Sequence, residues 1–89
     1  MARLKRLLLD VLKPNHPGLL ELATSLTEGA DIRARLRVLE MDEQTQTLQI
    51  EITGTDIDFE QLQTRIEEFG ASLHSIDEVE MDNRDDVSG

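Results

Sequence analysis

The stretch IRARLRVLEMDEQTQTLQIEIT, residues 32–53, decides the fold of this chain. Its apolar period is two, the signature of strands with one buried face. Ile32, Ala34, Leu36 and Val38 fall on one side, and Arg33, Arg35, Arg37 and Leu39 on the other. Past the polar run Asp42, Glu43 and Gln44, the alternation resumes with Leu48, Ile50 and Ile52 on a core face and Gln49, Glu51 and Thr53 opposite. Two such runs joined by a short polar segment predict a β-hairpin. Its loop must be odd in length, because a slip of one residue would set the arginine face against the isoleucine face.

The flanking segments repeat one pattern on either side of the hairpin. Upstream, residues 3–12 alternate Leu7, Leu9 and Val11 with Arg6, Leu8 and Asp10, which predicts a strand. Residues 13–18 carry Pro14 and Pro17 and predict a loop, with Pro17 suited to the first helical position. Leu19, Leu22, Ala23 and Leu26 follow helical spacing, and Gly29 is a stop in the left-handed conformation. Downstream, Asp58 followed by Gln61 predicts a helix N-cap, with Ile57 and Leu62 as its hydrophobic staple. Phe59, Leu62, Ile66 and Phe69 form the buried stripe of that second helix, and Gly70 ends it. Residues 73–81 predict a last strand whose apolar spacing by three, at Leu73, Ile76 and Val79, implies a bulge. The order β-α-β-β-α-β is the split βαβ arrangement: an α+β, ferredoxin-like domain with an antiparallel sheet of order 4-1-3-2 and both helices on one face. Residues 1–81 are expected to form this one domain, and 82–89 a polar, frayed tail.

Composition restricts the function classes. There is no cysteine, so disulfides, thiolate metal sites and cysteine nucleophiles are excluded. Nineteen acidic residues against nine basic give a net charge of −10, which repels nucleic-acid backbones and anionic membranes. Such acidity fits a salt-rich cytoplasm or an ordinary one equally well. Arg3, Lys5, Arg6 and the leucines after them superficially imitate a leader, but Asp10 interrupts the apolar run, and no segment approaches the ~18 apolar residues of a membrane span. A cytoplasmic location is the expectation.

Five blocks carry a family resemblance: RLLLDVLKP (Arg6 to Pro14), VLEMDEQT (Val38 to Thr45), IEITG (Ile50 to Gly54), DIDFE (Asp56 to Glu60) and HSIDEV (His74 to Val79). Together they resemble the largely archaeal family known as domain of unknown function 211, from about Arg3 to Met81. The resemblance implies a ferredoxin-like fold and a tendency to homo-oligomeric, ring-like assemblies. It implies no established activity. Members of that family are typically less acidic than this chain.

The charged residues offer several sites. Arg33, Arg35 and Arg37 line one predicted edge of the sheet, and the last strand carries Glu78 and Glu80 on one face of the other. Edge strands are templates for pairing, so the arginine edge of one copy would meet the acidic edge of the next and close a ring. The alternative for Arg35 is an intramolecular pair with Glu51 across the hairpin. The absence of sheet aromatics argues against RNA binding on the sheet face, since Phe59 and Phe69 are both helical. An acylphosphatase-type anion cradle is excluded by the two prolines in the first loop. P-loops, dinucleotide fingerprints and nucleophilic triads are absent. A divalent cation has two candidate sites. One gathers Asp10 and His74, placed opposite one another, with His16 and Asp42 nearby. The other is oxygen-only, suiting calcium or magnesium, at Asp56, Asp58, Asp77, Glu78 and the acidic tail. The functional expectation is a self-assembling, non-enzymatic domain binding a small ligand or cation as a regulatory module. A pure scaffold is the alternative, and an enzyme completed between subunits around Asp10, His16 and His74 the third.

Overall fold

The computed structural model describes residues 2–84. The elements are β1 (Arg3–Pro14), α1 (Leu19–Thr27), β2 (Ile32–Met41), β3 (Thr45–Gly54), α2 (Phe59–Glu68) and β4 (Ser72–Asp82). They form one antiparallel sheet in the order β2-β3-β1-β4, the expected order read from its other edge. The apolar strand residues buried to 2 % exposure or less, Leu7, Leu9, Val11, Leu48, Ile50 and Ile52, all belong to one face of the sheet. Leu22 and Leu26 of α1 and Leu62 and Ile66 of α2 close that face, with Phe59 and Phe69 packed at its margin. Among the described residues, no helix is long and apolar enough to cross a membrane.

The caps follow local chemistry. Asp58 accepts a hydrogen bond from the Gln61 backbone N–H at 3.1 Å, and Ile57 and Leu62 are both buried beside it. Gly29 and Gly70 hold positive φ angles of 68° and 73° just beyond the helix ends. Helix α1 departs from expectation at its start: it begins at Leu19 behind Gly18, with no side-chain cap, so Pro17 is not its first residue. Its far end is held from outside, because Arg65 Nη1 donates to the carbonyls of Ser25 and Glu28, the latter at 2.7 Å. Those carbonyls sit in the last turn, where intrahelical donors run out.

Three departures in the strands position everything else. The hairpin turn is even rather than odd, since Met41 pairs with Gln46 and leaves residues 42–45 between them, and a bulge restores the parity. Val38 pairs with Leu48 but Glu40 with Thr47, so Leu39 is the extra residue. Strand β4 carries two extra residues opposite β1: Asp10 pairs with Ser75 and Val11 with Leu73, leaving out His74, and Leu8 pairs with Glu78 and Leu9 with Ile76, leaving out Asp77. These are the irregularities that the spacing of Leu73, Ile76 and Val79 implied. Strand β4 also runs one residue past the expected domain end, to Asp82, which pairs with Arg3; residues 85–89 of the expected tail lie outside the described residues.

Lys13 corrects the predicted loop. It is the last core-side position of β1, opposite Gln46, and is 0 % exposed. Its Nζ donates to the Pro14 carbonyl at 2.7 Å. Burial pushes the Lys13 pKa below 10.5, with only the charge of Glu21 acting the other way. Because the folded state disfavours the ammonium, stability should rise as pH climbs through the depressed pKa toward 10.5. Lys13→Met should abolish that rise. Thermal melts of both proteins between neutral pH and pH about 10.5 should therefore converge at the alkaline end, with the variant the more stable at neutral pH.

Candidate functional site

Strand length and helix length do not match, and this leaves much of the sheet bare. At about 3.3 Å per residue, the 12 residues of β1 reach about 40 Å. The 10 residues of α2 reach about 15 Å. Apolar side chains on the helix side of both edge strands stay exposed as a result: Val38 and Met41 on β2, Ile76 and Val79 on β4. Leu39 and Met81 add to the same two edges.

The other face has no helices at all, and there the charges organise. Rows across the sheet read Arg33, Thr53, Arg6, Glu80; then Arg35, Glu51, Leu8, Glu78; then Arg37, Gln49, Asp10, Ser75. The β2 side is basic and the β4 side acidic. Between them Arg6 lies diagonally from both Glu51 and Glu78, within reach of a long side chain. Its Nε donates to Glu51 Oε2 at 3.1 Å, Nη2 joins the same oxygen, and Nη1 pairs with Glu78 Oε1. The Glu78 and Glu51 hydrogen bonds raise the Arg6 pKa. The Arg6 hydrogen bond holds the Glu51 carboxyl below its ordinary 4.5, with smaller help from the charges of Arg6, Arg35 and Arg33.

This network places several of the expected residues. Arg35 stands directly opposite Glu51, as one alternative required, yet Glu51 gives its oxygen to Arg6 and meets Arg35 only through longer-range attraction. Among the described residues, the side chains of Arg33, Arg35 and Arg37 form no hydrogen bond or ion pair. Glu78, expected at an interface or a metal site, is committed to Arg6 inside its own chain. Glu80 projects from the same face, opposite Arg6.

The cation candidates are not brought together. Asp10 faces Ser75, because the bulge takes His74 out of the register that would have paired them. Asp42 is spent in the hairpin, where Oδ1 accepts from the N–H groups of Gln44 and Thr45, both at 2.8 Å. Those bonds, Gln44 first, lower its pKa. Exposed His16 lies on the neighbouring loop, whose Asn15 is tied to the hairpin through Gln44 and Asp42 carbonyls. At the other end, a concavity of about 170 Å³ is lined by Asp31, Asp56, Asp58 and Ile57, but Asp58 is the helix cap, and Asp77 and Glu78 sit in mid-strand. Among the described residues, no group of three His, Asp or Glu has a geometry that could hold a metal ion.

Arg6 is the functional-looking residue that linear reading missed. Its signal was available: the order 4-1-3-2 puts the first strand between the third and fourth, so an open-face arginine there must neighbour both glutamates. Because the folded state lowers the Glu51 pKa, its stabilising contribution is complete above pH 4.5 and lost as pH falls through the depressed value. The melting-temperature gap between the native protein and Glu51→Gln should therefore narrow steadily below pH 4.5 in acid-series thermal melts.

Comparison with known proteins supplies a family and no activity. An uncharacterized protein of Methanocaldococcus jannaschii, MJ0319, is 38% identical over 80 residues, spanning 89% of this chain and 82% of that protein. A family model, DUF211, described as an uncharacterized ArCR family, matches residues 5–84. With nearly the whole chain matched, the protein belongs to the DUF211 family.

Proposed function

We propose that this domain works by assembling with copies of itself, β2 of one copy meeting β4 of the next, in a head-to-tail contact that closes into a ring. One observation carries the reading: both unpaired edges expose apolar side chains on the helix side, Val38 and Met41 on one and Ile76 and Val79 on the other. Exposed apolar groups concentrated on two opposite edges mark interaction surfaces. Charge supports the pairing, since Arg33, Arg35 and Arg37 border the first edge and Glu80 the second. A contact joining unlike edges is heterologous, and it closes when its rotation permits.

The assembly binds a small ligand or a divalent cation in a regulatory role without catalysing a reaction. Calcium or magnesium would have to draw carboxylates from more than one subunit, given that no described group of three serves within one chain. A scaffold whose assembly is itself the function draws on the same edges. It is the reading that gains if no ligand stabilises the ring.

Native mass spectrometry tests the contact. The unaltered chain should appear as a closed multimer, and Ile76→Asp with Val79→Asp should run as a folded monomer by mass and circular dichroism. Met41→Asp should weaken the same contact from the other edge. A monomeric native chain, or an undiminished multimer in all variants, defeats the reading.

A further inference from the structure

We propose that the concavity beside Arg35 and Arg37 on the open sheet face binds a small-molecule oxyanion, a carboxylate or a phosphate. The hollow measures about 280 Å³; Arg35 and Arg37 line it from β2, Gln49 and Glu51 from β3 directly opposite them, and Arg6 and Glu78 close the far side over a Leu8 floor. The site gives a chemical class to the ligand of the regulatory reading. It rests on that reading only for its role, because every group named belongs to one chain.

Three observations converge on it. First, Arg35 and Arg37 line the hollow, and their side chains make no ion pair or hydrogen bond to any described residue, although the chain carries nineteen carboxylate side chains. The carboxylates that line the hollow, Glu51 and Glu78, are held by Arg6. Like charges two residues apart on one strand face, about 7 Å between α-carbons, repel one another unless an anion lies between them. Second, the guanidinium fork matches the paired oxygens of carboxylate and phosphate, and two forks on one strand can share one such group. The Gln49 amide, directly opposite Arg37, offers a neutral donor at the same rim.

Third, the surroundings select for size. Glu78 and Glu80 lie across the sheet and Asp10 lies beside Gln49, so an extended polyanion would run into carboxylates. The face carries no aromatic residue on which a base could stack. Leu8 gives the floor one apolar contact for a short carbon skeleton. A compact mono- or di-anion fits these limits and a nucleic acid does not.

Isothermal titration of the full chain with inorganic phosphate and, separately, with citrate, at constant ionic strength set by sodium chloride, tests the site. One saturable event per chain is expected with at least one of them, and which one binds separates phosphate from carboxylate recognition. Arg35→Gln with Arg37→Gln should weaken that event by about tenfold or more, the loss of charge-assisted hydrogen bonds. Arg33→Gln should retain it, because Arg33 borders only the adjoining hollow with Thr53, which Arg35 and Glu51 also line, and not this one. Heat no greater than the chloride control, or equal binding in the double variant, overturns the site. Native mass spectra of the same samples keep the two proposals apart: binding lost while the multimer persists supports the site, and binding lost only where the multimer dissociates overturns a site contained in one chain.

Discussion

Every feature of this domain hangs on the alternation of β1. Its odd-numbered residues Leu7, Leu9 and Val11 are buried under the helices, and the strand pairs on both sides, with β3 and with β4. That double pairing fixes parity for the whole sheet. Since side chains alternate between faces, burying Leu7 and Leu9 obliges Arg6 and Leu8 to lie on the uncovered side. From that single choice follow the row of isoleucines on β3, the arginine stripe on β2 and the ion pairs at the centre of the open face.

Much of this was legible in the residues, and the reasons differ by element. The hairpin was readable because its arginines and isoleucines leave only one parity that keeps charge out of the core. The second helix was readable because Asp58, Gln61 and Gly70 act within one turn of its ends. The bulges on β4 could be sensed in the spacing of Leu73, Ile76 and Val79, but not assigned to particular residues. Placing them requires the partner strand, and so His74 was set opposite Asp10 when Ser75 stands there. Lys13 was misjudged because lysine beside proline reads as loop. Its burial comes from the strand continuing two residues further under the loop to α1. Arg65, which satisfies the carbonyl ends of the other helix, left no local signal at all, since its partners lie about forty positions upstream.

Acidity proved uneven in a way composition conceals. The open face is a gradient, with guanidinium groups along β2, carboxylates along β4 and Arg6 bonded between. Exposed ion pairs of this kind contribute little individually to stability. Their effect is instead to fix which carboxylates are already occupied and which arginines are not, and the proposed oxyanion site follows from that accounting. On the opposite side, long strands over short helices leave apolar edges that a single chain does not cover.

The arginine stripe has a further consequence for how copies can meet. From Ile32 to Val38 the β2 edge is uninterrupted and rich in branched apolar residues, the kind of strand that invites a second identical strand to add to it. Were two β2 strands to pair edge to edge, guanidinium rows would be crowded along one shared surface, and the repulsion would grow with every residue added to the ladder. The other edge interrupts its own ladder at His74 and Asp77, which twists it away from flat stacking. Each edge is thus poorly suited to its own likeness. Open-ended accretion of like on like is therefore resisted by the strands themselves.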